Sequence, residues 1–307
     1  MILSRVGKAS FVLTLLACVA TASSFQYVVA YGDSLSDKGN VFRATGFPPP
    51  PYYNGRLSNG PVAVEDTAAL LNAQLLDFAW GGATTGIGNS GDNGTPTGVG
   101  QLGLPGMQPL LQSSLAQVTP LASSSLFVVW GGVDDFFSPS PLDSTPQAVA
   151  NRAVSDLVGI VAALGSAGAK DVVVPGMPDL GLTPRFLSQG AAASAQASAI
   201  TNYFNALLSA SLPQGATYVD TASLLRAIVA NPGAYGFTNV TSPCLSAVPC
   251  SNPDSYLFWD DIHPTAHTQA IVAGVLAAAA VPEPSTAMLA LAAGAALAVL
   301  RRRIATS

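Results

Sequence analysis

Charge is scarce in this chain. Only 9% of its 307 residues are Asp, Glu, Lys or Arg, and it has just 2 histidines and 3 cysteines. So few His and Cys exclude a Cys/His zinc cluster. Of the 12 basic residues, Arg5, Lys8, Arg301, Arg302 and Arg303 lie at the ends, while the 17 acids lose only Glu283 there. The middle therefore carries 7 basic residues against 16 acids, which leaves no footprint for DNA or RNA. Apolar residues, by contrast, make up 49% of the chain, enough to fill a core and to exclude intrinsic disorder.

The two ends read as addresses. Arg5 and Lys8 form a basic start, residues 10–20 an apolar stretch, and Ala20-Thr21-Ala22 a small-residue cleavage site, so residues 1–22 are expected to be a secretory signal. About eleven apolar residues are too few to span a bilayer. A rival cleavage just before Cys18, after Leu15-Leu16-Ala17, would give a lipidated cysteine. At the other end, Val281-Pro-Glu-Pro-Ser285 precedes a short apolar run to Leu300 and the cluster Arg301-Arg-Arg303. Apolar span then arginines is a stop-transfer arrangement with the arginines on the cytoplasmic side. Residues 281–307 resemble the PEP-CTERM sorting signal of bacterial exported proteins. That resemblance implies an exosortase-type processing partner, export across the inner membrane, and a transient anchor through the C-terminal helix before release to the cell surface or medium. A permanent single-pass anchor is the alternative.

With Cys18 removed, Cys244 and Cys250 remain as an even pair around Leu-Ser-Ala-Val-Pro. In an oxidising compartment they are expected to close that loop as a disulfide.

Between the ends, strand and helix signals alternate. Apolar strand runs fall at 25–31, 75–80, 126–130, 171–174 and 217–219, each closed by turn residues. Helical stretches open at Asn59-Gly-Pro61 and cover 107–118, 146–164, 191–212, 221–230 and 264–280, the last with Pro264 in its first turn. Residues 81–106 are too rich in glycine for regular structure and lack the Gly-Lys-Ser/Thr of a phosphate loop, so they are expected to form a substrate-side loop. Such alternation predicts one α/β domain over residues 25–280, with a mainly parallel five-stranded sheet between helices. In that architecture, function sits at the carboxyl ends of the strands.

The chemically distinctive residues fall there. The first strand runs into Gly32-Asp-Ser-Leu-Ser-Asp37, the second into Trp80-Gly-Gly-Ala-Thr-Thr85, and the third into Gly131-Gly-Val-Asp-Asp135. Arg56-Leu-Ser-Asn-Gly-Pro61 follows the first block, and Asp260-Asp-Ile-His-Pro264 stands near the end. In order and spacing these blocks resemble the GDSL, or SGNH, esterases and lipases. The resemblance implies a three-layer SGNH-hydrolase (flavodoxin-like) fold, no cofactor, and hydrolysis of a carboxylic ester through an acyl-enzyme.

A serine needs a base to take its proton and a third group to orient that base. Ser34, in a tight turn after a buried strand, is the expected nucleophile. The base is His263 or His267, there being no other histidine; His263, in the loop before the last helix, is placed to face Ser34. Asp260 would hold the other ring nitrogen. The backbone N–H groups of Ser34 and Gly82 would form an oxyanion hole. His263 and His267 also have the i, i+4 spacing of a helical metal pair, but no third ligand accompanies them, so no metal is expected. Asp33 and Asp37 read as turn and cap residues, and Asp261 as a solvated loop acid. Pro48 to Pro51 form a stiff active-site loop whose Tyr52 and Tyr53 could line an acyl or sugar pocket.

One block departs from the family pattern. Where the family has Gly-x-Asn-Asp, with the Asn amide donating to the oxyanion, this chain has Asp134. An ionised carboxylate only accepts and would repel an oxyanion, and losing one such donor costs about 10² to 10³ in rate. Asp134 is either held protonated, or slows the enzyme, or is replaced by another donor. The alternatives to an esterase are a catalytically silent surface or matrix protein and an acyltransferase to an exopolysaccharide. Short acyl esters, lipids and acylated polysaccharides all stay open as substrates.

Overall fold

The apolar run after Gln26 is hydrophobic on both faces, as a central parallel strand must be, and folds as β1 (Tyr27–Gly32), buried from Val28 onward. The computed structural model describes residues 25–281. The expected secretory signal at 1–22 and the apolar stretch and arginines of the tail lie outside them.

In chain order β1 is followed by α1 (Asn40–Thr45), α2 (Ala63–Leu70), β2 (Gln74–Asp77), α3 (Met107–Val118), β3 (Ser125–Trp130), α4 (Val133–Phe137) and α5 (Pro146–Ser166). Then come β4 (Asp171–Pro175), α6 (Pro184–Leu187), α7 (Ala191–Ser211), β5 (Ala216–Val219), α8 (Thr221–Ala230), β6 (Asn239–Pro243), β7 (Tyr256–Phe258) and α9 (Ala266–Ala280). Five strands form one parallel sheet in the order β2-β1-β3-β4-β5. That is the flavodoxin-like winding, whose switch point lies between β1 and β3.

Both sheet faces are covered. Val29, Tyr31, Phe127 and Val129 pack on one side with α3, α5 and α7, where Leu157, Leu164, Phe204 and Leu208 are buried. Val28, Ala30, Leu126 and Val128 pack on the other with α2 and α9. At an order of 1.5 to 3 kcal/mol per fully buried large apolar side chain, these two cores dominate the favourable side of folding. Helix α5 is apolar and long enough to cross a membrane, but its inner face is part of this core.

Several boundaries differ from the sequence expectation. The second strand stops at Asp77, although Phe78 and Trp80 still donate to the carbonyls of Ala30 and Gly32. Pro264 lies outside the last helix: Thr265 is its N-cap, so the helix begins at Ala266. The short α4 and α6 and the parallel pair β6–β7 carry too few residues to leave a periodic signal. Cys244 and Cys250 are joined as a disulfide, which closes the loop between β6 and β7.

Candidate active site

The strand β1 delivers Ser34 into a turn closed by the N–H groups of Ser36 and Asp37 on the carbonyl of Asp33, at 3.1 and 3.0 Å. Gly32 is required just before it, since a Cβ there would lie 2.2 Å from the carbonyl oxygen of Trp130 on β3. His263, on the loop entering α9, brings Nε2 to 2.9 Å from Ser34 Oγ, across 229 residues of chain. Its Nδ1 lies 2.7 Å from Asp260 Oδ2. Asp260 Oδ1 accepts the N–H groups of Ile262 and His263 at 2.9 and 2.6 Å, which fixes the loop's shape. Burial pushes the Asp260 carboxyl up, but the His263 charge and these hydrogen bonds outweigh it and hold the pKa at about 2.

His267 is elsewhere. Its Nδ1 bonds the Asp254 carbonyl at 2.7 Å, and its ring stacks on Phe237 at 4.7 Å between centroids. The two histidines therefore do not converge, and among the described residues no three His, Cys, Asp or Glu side chains gather as metal ligands.

The second block is tied to the first by Asp37. Its Oδ2 accepts the N–H groups of Gly81 and Val41 at 2.8 and 3.1 Å, and its Oδ1 those of Gly39 and Asn40. Gly82 has φ +81°, and a Cβ on it would lie 2.4 Å from Asn89 Oδ1, so glycine is needed on both counts. Among the described residues no acceptor takes the N–H of Ser34 or of Gly82. The third block opens α4. Asp135 accepts both the N–H and the hydroxyl of Thr85, at 2.9 and 2.8 Å; burial raises its pKa to about 7. Asp134 takes the hydroxyl of Ser90 on Oδ1 at 2.6 Å. Burial raises its pKa against the opposing pull of Ser90, His263 and Arg185. Neighbouring Asp33, fully buried and close enough to feel Asp134, is raised further.

Ser34, Gly82, Asp134 and His263 line one cavity of about 580 Å³. Ser90, Gly91, Leu102 and Leu104 of the glycine-rich loop also line it.

Some contacts were not readable in the sequence. Tyr52 is not part of the cavity wall; its hydroxyl donates to Asp260 Oδ2 at 2.8 Å. Ser58 donates to the Pro264 carbonyl at 2.9 Å, and Asn59 Oδ1 accepts the Ala266 N–H at 2.8 Å, so the segment after the first block holds the His263 loop. Asp261 is paired, with Arg185 at 2.8 and 3.1 Å.

Residues 280–303 match the PEP-CTERM protein-sorting motif. The chain is 30% identical to the thermolabile hemolysin of Vibrio parahaemolyticus over 80% of its own length and 62% of that protein's, so it spans less than two thirds of that relative. It is 30% identical to a phosphatidylcholine-sterol acyltransferase of Aeromonas hydrophila over 60% of its own length and 53% of that protein's. Among solved structures, an acetyl xylan esterase variant of Geobacillus stearothermophilus is similar with a TM-score of 0.45 and 13% identity, over 83% of this chain and 94% of that one. Residues 28–276 match the GDSL-like Lipase/Acylhydrolase family, and the chain belongs to it.

Proposed function

We propose that the chain is an exported serine hydrolase that cleaves a carboxylic ester through an acyl-enzyme. The hydrogen-bonded run Ser34 Oγ, His263 Nε2, His263 Nδ1, Asp260 Oδ2 carries this reading. His263 accepts the Ser34 proton as Oγ bonds to the carbonyl carbon, and the carbonyl electrons move onto oxygen. Collapse of that oxyanion expels the alcohol, which takes the proton from His263. Water then attacks the acyl-serine with the same base, releasing the acid and restoring Ser34. Asp260 stabilises the imidazolium formed at each step and sets its tautomer.

The free N–H groups of Ser34 and Gly82 are the first two oxyanion donors. Asp134 is the third. Burial raises its pKa; in its neutral form it would give its hydroxyl hydrogen to the oxyanion while Ser90 satisfies Oδ1, replacing the amide found elsewhere in the family. The match to the sorting motif and the disulfide support export with removal of the tail by an exosortase-type enzyme.

Labelling with a fluorophosphonate ester tests the central claim. Wild type should be labelled at Ser34 and Ser34→Ala should not; an unlabelled wild type would favour a catalytically silent surface protein.

A further inference from the structure

Arg185, on α6, takes no part in the chemistry set out above, yet it lines the cavity that Ser34 and His263 share. Among the described residues of that wall it alone, besides His263, can carry a positive charge, and Asp260 and Asp134 both feel that charge. Its Nε and Nη2 donate to Oδ2 and Oδ1 of Asp261 at 2.8 and 3.1 Å, a two-point fork. Its guanidinium carbon lies 4.8 Å from the ring centre of Phe137, which α4 carries together with Asp134. Its backbone N–H donates to the Asp261 carbonyl at 2.7 Å.

That last bond bears directly on the catalytic loop. The carbonyl of Asp261 and the N–H of Ile262 belong to one planar peptide. Arg185 holds the oxygen, and Asp260 Oδ1 takes the hydrogen at 2.9 Å. The peptide midway between Asp260 and His263 is therefore gripped at both ends.

An anchor must itself be fixed. Asp179, only 3% exposed, accepts the N–H of Gly181 at 3.1 Å, the hydroxyl of Ser198 on α7 at 2.6 Å and Nε of Arg226 on α8 at 2.7 Å. Ser194, also on α7, donates to the Gly181 carbonyl at 2.7 Å. The segment leading into α6 is thus pinned to two helices. An isolated surface ion pair contributes little; this one is bidentate, stacked on an aromatic face and backed by a held segment.

We propose that Arg185 is a positioning residue of the hydrolase: by joining Phe137 of α4 to Asp261, it keeps the segment of Asp134 and the loop of Asp260 and His263 in one arrangement around Ser34. The kinetic consequence rests on the ester-hydrolase reading above; the structural one does not.

The experiment compares variants of the full chain by steady-state kinetics on a p-nitrophenyl ester and by proton NMR of the histidine ring N–H groups. Arg185→Ala should lower kcat about fivefold with KM little changed. Asp261→Ala added to it should cost less than about twofold more, since both act through one joint. Arg185→Lys keeps the charge but loses the fork, so it should fall with Arg185→Ala. The ring proton on His263 Nδ1, held by Asp260 at 2.7 Å, should broaden or move upfield in Arg185→Ala. That of His267, bonded to Asp254, should stay in place. The ring proton is read whether or not an ester is cleaved, so an inactive wild type would sink the hydrolase reading and leave the joint to be judged by this signal. In folded Arg185→Ala an unmoved His263 proton would overturn the proposal, and so would full kinetic rescue by lysine or a loss confined to KM.

Discussion

Tyr52 and Asp260 meet hydroxyl to carboxylate at 2.8 Å, on the same oxygen that faces His263 Nδ1. The phenol thereby fixes the carboxylate that fixes the imidazole, and its own pKa is raised by burial and by the charge of Asp260. Tyr52→Phe should reduce kcat about tenfold with KM little changed, since a hydrogen bond to a charged group is worth about 1.5 to 3 kcal/mol. The pH profile of kcat should move as well. A loss confined to KM, or a drop matched by loss of folded protein, would reduce Tyr52 to a packing residue.

The two histidines should separate cleanly. His263→Ala should lower kcat/KM by about 10³ or more, as removal of a triad base does. His267→Ala removes the bond to Asp254 and the stack on Phe237, and should cost about 1 kcal/mol of stability with activity retained. Steady-state kinetics and thermal melts on both variants decide it; the reverse ranking would name the wrong base.

Asp134→Asn is close to isosteric. If Asp134 donates as a neutral acid, the substitution should change kcat/KM little near neutral pH. As pH rises the acid ionises and wild type should lose activity, while the Asn variant keeps its donor, so the two profiles cross. An Asn variant faster at every pH would mean an ionised, impaired site. One slower throughout would mean that Asp134 has another role.

Stability should be greatest in mild acid. Burial raises Asp77 and Asp135 from the usual 3.8 to about 7, and raises Asp33, Asp37 and Asp134 in the same direction. Each of these carboxyls keeps in the folded state a proton that the unfolded chain releases near pH 4, so stability falls as pH climbs through the folded pKa values. Asp260, lowered to about 2, acts the other way and withdraws its contribution as pH falls from 4 toward 2. Calorimetry should therefore find Tm highest at about pH 4 to 5 and lower by several degrees at about pH 8. A flat or rising profile across that interval would contradict these protonation states.

What the sequence determined by itself was whatever is encoded over short stretches. The Asp260-x-x-His263 spacing sits within one loop, Cys244 and Cys250 are six residues apart, and each strand of the sheet is a compact apolar run whose alternation with helices dictates parallel pairing. The histidine count, and the place of His263 in the loop before the last helix, even paired it with Ser34, although His263 follows β7, a strand of the separate two-stranded sheet. Only the tertiary structure decided which side chains meet across loops. The link from Tyr52 to Asp260 spans 208 residues, and that from Ser90 to Asp134 spans 44; both depend on how irregular segments stack, which no local periodicity records. The cavity is likewise a property of packing: Leu225 and Ile228 read in sequence as ordinary core residues of an amphipathic helix, and only the tertiary structure places them in the wall of the cavity that Ser34 also lines.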